Sequence, residues 1–164
     1  MAESQADNIV GAINIKADPE KPAQAAAKPA KKAPDKGGFY WGTGRRKSSV
    51  ARVRIRPGEG KLLVNKKTLD NYFASLQDRK LVMAPLKAVD AEKSFDVFVN
   101  VNGGGTSGQS GAVSLGIARA LKNYDEKYIQ ALRDGGYLTR DSRMVERKKP
   151  GQSGARKRFQ FSKR

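Results

Sequence analysis

Between Ala51 and Arg56 apolar and cationic residues alternate. Ala51, Val53 and Ile55 fall on one side, and Arg52, Arg54 and Arg56 on the other. A period of two belongs to a β-strand with one face on a core and one face in water. Pro57-Gly58-Glu59-Gly60 reads as a turn, and Leu62-Leu63-Val64 as a return strand. A hairpin with an arginine stripe on its open side is therefore expected. Phe95, Val97, Val99 and Val101 alternate with Asp96, Phe98, Asn100 and Asn102 in a further strand, buried on both faces where Phe98 sits. Gly103-Gly104-Gly105 ends it.

Elsewhere the period lengthens to that of a helix. Leu69, Tyr72 and Phe73 have i, i+3, i+4 spacing, and Leu81, Val82, Pro85, Leu86 and Val89 form a second stripe, with Pro85 marking a helix start or break. Both sets are assigned to the core. Ala112, Val113, Leu115, Gly116, Ile117, Ala120 and Leu121 predict a helix after the glycine run, with Ser107 or Ser110 capping its first turn. A shorter helix is expected from Glu126 to Arg133, before Gly135-Gly136. Strands and helices alternate without the long regular spacing of a doubly wound domain. The expected fold is α+β, a small two-layer sandwich with helices on one side of a single sheet.

The periodic region spans residues 39–141 and begins at Phe39-Tyr40-Trp41. Residues 1–38 are rich in Ala, Lys and Pro and carry no hydrophobic period, which predicts a disordered, solvated extension. Residues 142–164 are equally aperiodic. They predict an extended basic arm, disordered until bound, that orders only when phosphate neutralises it.

Charge turns this layout toward a partner. The chain has 164 residues, with 33 Lys and Arg against 16 Asp and Glu, a formal net charge of +17. The extension accounts for only +1, whereas the arm carries nine basic residues and one acidic residue. A compact domain so charged repels itself unless a polyanion screens it, and nucleic acid is the expected one. Phosphate contacts are assigned to Arg52, Arg54 and Arg56 on the stripe. Arg45, Arg46 and Lys47 join them, since they follow the flexible Gly42-Thr43-Gly44. In the arm the candidates are Arg147, Lys148 and Lys149, then Arg156, Lys157 and Arg158. Phe159 and Phe161 either stack on a splayed base or wedge into a hydrophobic notch.

The chain has neither Cys nor His. Disulfides, thiol nucleophiles and the commonest metal ligands are thereby excluded, and no cofactor or metal is expected. No apolar run reaches the length of a membrane span, and the N-terminus lacks the pattern of a secretory signal, so a cytoplasmic location without a membrane partner is expected. The GGGTSGQSG run is neither a Walker loop nor a dinucleotide fingerprint. Gly103, Gly104 and Gly105 are expected to allow tight helix–strand packing rather than to hold a small molecule. Asp96, Asp134 and Asp141 are candidate acids, but none is paired with a base by spacing, so no enzymatic activity is expected.

Several separated stretches, YWGTGRRKSSVARVRIRPGEGKLLVN, FDVFVNVNGGGTSGQSGAVSLGIARAL, YLTRDSRMVERKKPG and RKRFQFSKR, resemble in order those of the ribosomal protein S9 (uS9) family, over residues 39–164. The resemblance implies the α+β fold also found in the second domain of ribosomal protein S5. It implies a structural constituent of the small-subunit head, bound to 16S rRNA and to neighbouring head proteins. It also implies an arm that runs through rRNA toward P-site tRNA. Arg164 would contact tRNA phosphate, with Lys163 and Ser162 nearby. Pro150-Gly151-Gln152-Ser153-Gly154 departs from the family's more basic arm. The alternatives are an architectural nucleic-acid-binding protein outside the ribosome and an RNA-processing enzyme. The first would need a basic groove-reading helix, whereas the most periodic helix carries only Arg119 and Lys122.

Overall fold

The computed structural model describes residues 34–35 and 37–162. Most of the N-terminal extension, and Lys163 and Arg164 of the expected tRNA contact, lie outside the described residues.

Five strands form one sheet in the order β1-β2-β5-β3-β4, with β1 Tyr40–Arg46, β2 Ser49–Pro57, β3 Leu62–Val64, β4 Lys67–Thr68 and β5 Phe95–Asn102. The helices are α1 Leu69–Tyr72, α2 Leu76–Lys87, α3 Thr106–Tyr124 and α4 Tyr128–Asp134. The fold is α+β. Ala51, Val53 and Ile55 of β2 and Val97, Val99 and Val101 of β5 are all buried on the helix side, as their alternation demands. Ala112, Val113, Ile117, Ala120 and Leu121 of α3 meet them, with Val82 and Leu86 of α2 and Phe73 completing the core.

The expected hairpin between β2 and β3 does not form. β2 pairs antiparallel with β1 and β5, and β3 pairs in parallel with the far side of β5. The cause lies in the Pro57–Gly60 turn, which wraps the end of β5. The N–H groups of Glu59 and Lys61 donate to Asp96 Oδ1 at 3.0 and 3.1 Å, and Gly58 N–H donates to the Ser94 carbonyl. A Cβ on Gly58 would stand 2.3 Å from the Asp96 carboxyl carbon, so only glycine passes there. The chain emerges beyond β5 rather than beside β2. Two-residue hairpins instead join β1 to β2 through Lys47 and Ser48, with Lys47 in the left-handed region at φ 50, and β3 to β4 through Asn65 and Lys66.

Two further expectations are corrected. Pro85 neither starts nor breaks a helix: it lies in the last turn of α2, where its buried ring offsets the lost backbone bond, while Leu81 sits at the exposed edge of the same helix. Neither Ser107 nor Ser110 caps α3. The N-cap is Gly105, and the Ser110 hydroxyl is buried one turn into the helix, donating to Asp78 Oδ1 at 2.8 Å.

Gly42 and Gly44 bring α3 against β1. A Cβ on Gly44 would lie 1.8 Å from the Ala112 carbonyl oxygen, and one on Gly42 2.2 Å from that of Gly116. Along the outer edge of β1, Arg119 Nη1 donates to the Thr43 carbonyl at 2.7 Å and Asn123 Nδ2 to the Trp41 carbonyl at 2.8 Å. Carbonyls that would otherwise invite another strand are thereby occupied.

Candidate nucleic-acid interface

Among the described residues the helices lie on one face of the sheet, and no helix covers the other. Arg52, Arg54 and Arg56 project onto it, but they are not equivalent. Arg56 donates to Asp96 Oδ2 at 3.2 Å, and its guanidinium lies 5.4 Å from the Phe98 ring centroid. Arg54 lies 5.1 Å from the centroid of Phe39 and 5.4 Å from that of Phe98, two rings packed edge to face. Arg52 is exposed and has no ion-pair partner among the described residues. Among the described residues, then, Arg52 is the cation of the stripe with neither an ion-pair nor an aromatic partner, while Arg54 and Arg56 are spread over an aromatic base.

Asp96 is nearly buried beneath this arrangement. The Lys61 backbone N–H is the leading cause that holds its carboxyl below the ordinary value, helped by the Glu59 N–H and by Arg56. Its task is to fold the turn around the strand end. Asp134 accepts from Gln130 Nε2 within α4.

Arg45, Arg46 and Lys47 diverge in space. Gly42 and Gly44 face α3, so the strand period sends Arg45 outward and Arg46 toward the helix side. Arg46 donates from Nη1 to the Ser107 carbonyl at 2.9 Å and pairs with Asp141 at 3.0 Å. It is an internal tie more than a ligand for phosphate. Lys47 is exposed at the turn. Gly103 and Gly104, at φ 74 and 66, press against that turn: Ser49 Oγ and Gln109 Nε2 both donate to the Gly103 carbonyl, and a Cβ on Gly104 would meet Ser49 Oγ at 2.1 Å. The exposed Gly105 follows as the N-cap of α3.

The arm is rooted on Asp141, the last residue of the body. Its carboxylate takes hydrogen bonds from the Arg143 side chain and backbone and from Arg46, and these hold it far below the usual carboxylate range, with the Arg143 side chain the largest cause. Beyond this root the arm folds back on itself. Glu146, its single acid, pairs with Arg156, whose Nε donates at 2.7 Å, and the pairing lowers the Glu146 pKa. Lys149-Pro150-Gly151-Gln152 makes a turn with Gly151 at φ 71 and the Gln152 N–H on the Lys149 carbonyl. The Ser153 and Gly154 N–H groups then close on the Lys157 carbonyl. The loop leaves Arg147, Lys148, Lys149, Lys157 and Arg158 exposed, without ion-pair partners among the described residues. Phe159 and Phe161 are exposed and touch no other ring among the described residues, and Ser162 is exposed beside them.

Sequence reasoning missed Trp41, which reaches the same open face. Counting back across the two-residue turn puts it opposite Arg54. It also missed the tie between Glu146 and Arg156, signalled by the one acid in a basic segment.

A profile of the family described as Ribosomal protein S9/S16 matches residues 44–164. The small ribosomal subunit protein uS9 of Rhodopirellula baltica is 54% identical over 123 residues, which cover 75% of this chain and 90% of that protein. The match takes in the cations of the sheet, the glycine loop and the whole arm, and so the chain belongs to the ribosomal protein S9/S16 family.

Proposed function

We propose that the chain is a structural constituent of the small ribosomal subunit, bound to 16S rRNA in the subunit head and in contact with neighbouring head proteins. The observation that carries this reading is the disposition of charge. The acids near the candidate interface, Asp96, Asp141 and Glu146, are occupied within the chain. The exposed cations Arg45, Lys47, Arg52, Arg147, Lys148 and Lys149 face outward. Such a surface grips a phosphate backbone by shape and charge rather than by base sequence. Arg54 and Arg56 add to its field from their aromatic seat, and Arg46 supports it from within. Lys157 and Arg158 carry the cationic run along the arm, with Arg156 joining them once released from Glu146.

The arm's end, Ser162, Lys163 and Arg164, reaches P-site tRNA and supplies positive charge to any anticodon stem. Phe159 and Phe161 seat the arm in the assembly. Residues 39–141 are the rRNA-binding body, of the type seen in the second domain of ribosomal protein S5, and residues 1–38 an appended extension. The role is structural and cytoplasmic, with no catalytic step and no cofactor.

A density map of the small subunit from the source cells, with tRNA in the P site, tests the reading. Density for this chain in the head with its terminus at the anticodon stem is expected. Body density with the arm directed elsewhere would remove the tRNA role, and absence of the chain from the subunit would overturn the whole. Deleting Lys163 and Arg164 is expected to speed tRNA release from the P site without blocking assembly. Unchanged release rates would count against the tRNA contact.

A further inference from the structure

Trp41 is the chain's single tryptophan, and on a sheet face turned to water it is 46% exposed. It stands in register with Arg54 of β2, which stands in register with Phe98 of β5. An indole, a guanidinium and a phenyl ring thus form one row, with neighbouring side chains about 5 Å apart at their roots. Asp35 accepts the indole N–H at 3.1 Å, which holds the ring by its polar edge. The next row, about 7 Å along the strands, is Thr43, Arg52 and Asn100, and beyond it come Arg45, Val50 and Asn102. The residues of the second and third rows carry cations, a hydroxyl, amides and the exposed Val50, and the carboxylate beside the first row, Asp35, is engaged by the indole N–H.

An indole held at its polar edge and left 46% exposed is a poor use of apolar surface in water. It suits a flat apolar ligand delivered from solution. Within RNA that ligand is an unpaired base, since the bases of a duplex are already stacked and its phosphates offer nothing to an indole. We infer that the open sheet face is a platform for unpaired RNA. On it Trp41 stacks a splayed nucleobase, while Arg52 and Arg45 hold the flanking phosphates. This rests on the proposed rRNA-binding role and narrows it to a strand free of base pairing at this face.

Because Trp41 is the single tryptophan, its emission reports on the platform alone. The full chain is titrated with octa-adenylate and, separately, with an RNA duplex of equal phosphate number. Both tryptophan emission and the anisotropy of labelled RNA are followed. Octa-adenylate should quench the emission to a plateau whose midpoint matches the anisotropy, whereas the duplex should bind without quenching. Trp41→Ala should weaken octa-adenylate binding about tenfold and leave duplex binding unchanged, and Trp41→Phe should retain most of the affinity. Binding of both RNAs with unchanged emission, or equal losses on both in Trp41→Ala, would overturn the platform and leave the rRNA-binding role standing. Failure to bind either RNA would overturn both.

Discussion

The Arg46 guanidinium meets the Asp141 carboxylate at 3.0 Å across 95 positions of sequence, and so ties the root of the arm to the end of β1. Asp141→Asn should therefore free the arm root without unfolding the body. Trypsin cleavage after Arg143 is expected to quicken several-fold, with only a small fall in the thermal midpoint at neutral pH. An unchanged cleavage rate would mean that the tie does not restrain the arm.

The same carboxylate and Asp96 set a pH dependence. Both are held below their ordinary value of 3.8 in the folded chain, by Arg143 and by the Lys61 N–H respectively. A depressed carboxylate stabilises the fold fully above its unfolded pKa, and loses that contribution as pH falls through the folded one. Stability should hold from neutrality down to about pH 4 and decline below it. Asp96→Asn should flatten the decline, as followed by denaturant midpoints at stepped pH.

Gly44→Ala would drive a methyl into the α3 backbone at Ala112. Neither element can yield without parting the other from the core, so a loss of about 3 kcal/mol is expected. Chemical denaturation should record it, and a midpoint within error of the parent would show that α3 can shift freely.

Asn65 continues the sheet with its side chain where β3 stops. Its amide donates to the Val101 carbonyl and its Oδ1 accepts the Val101 N–H, each at 2.9 Å, from a backbone at φ 47 that suits Asn. Asn65→Ala should cost about 2 kcal/mol and raise hydrogen exchange at Val101 above that of Val99. Equal protection at the two amides would contradict this.

Arg52 and Arg56 should separate in binding and stability. Arg52→Ala is expected to lower the salt slope of rRNA affinity by about one unit with an unchanged thermal midpoint. Arg56→Ala should lower the midpoint, because it strips the cation from Asp96. Matching behaviour of the two variants would mean that their different seats have no consequence.

The core was legible because Ala51 to Arg56 and Phe95 to Asn102 place apolar residues at every second position, where few other folds could bury them. The partner of β3 was not legible. Its pairing with β5 joins Leu62 to Val97 across a helix-containing crossover, while adjacency in sequence favoured β2. Nor does a run of cations say which of them faces solvent: the glycines at 42 and 44, read with the strand period, separate Arg45 from Arg46. The arm's lack of apolar period suggested an extended segment, but the loop from Glu146 to Arg156 is closed by charge and a Pro-Gly turn, to which hydrophobic pattern is blind.

That loop stores length. Glu146 and Arg156 touch, although the ten residue steps between them span about 33 Å when drawn out. A polyanion that captures Arg156 from Glu146 releases this slack, so the arm behaves as a coiled tether that lengthens where phosphate is dense. Its reach is then set by the electrostatics of its surroundings as well as by the number of its residues.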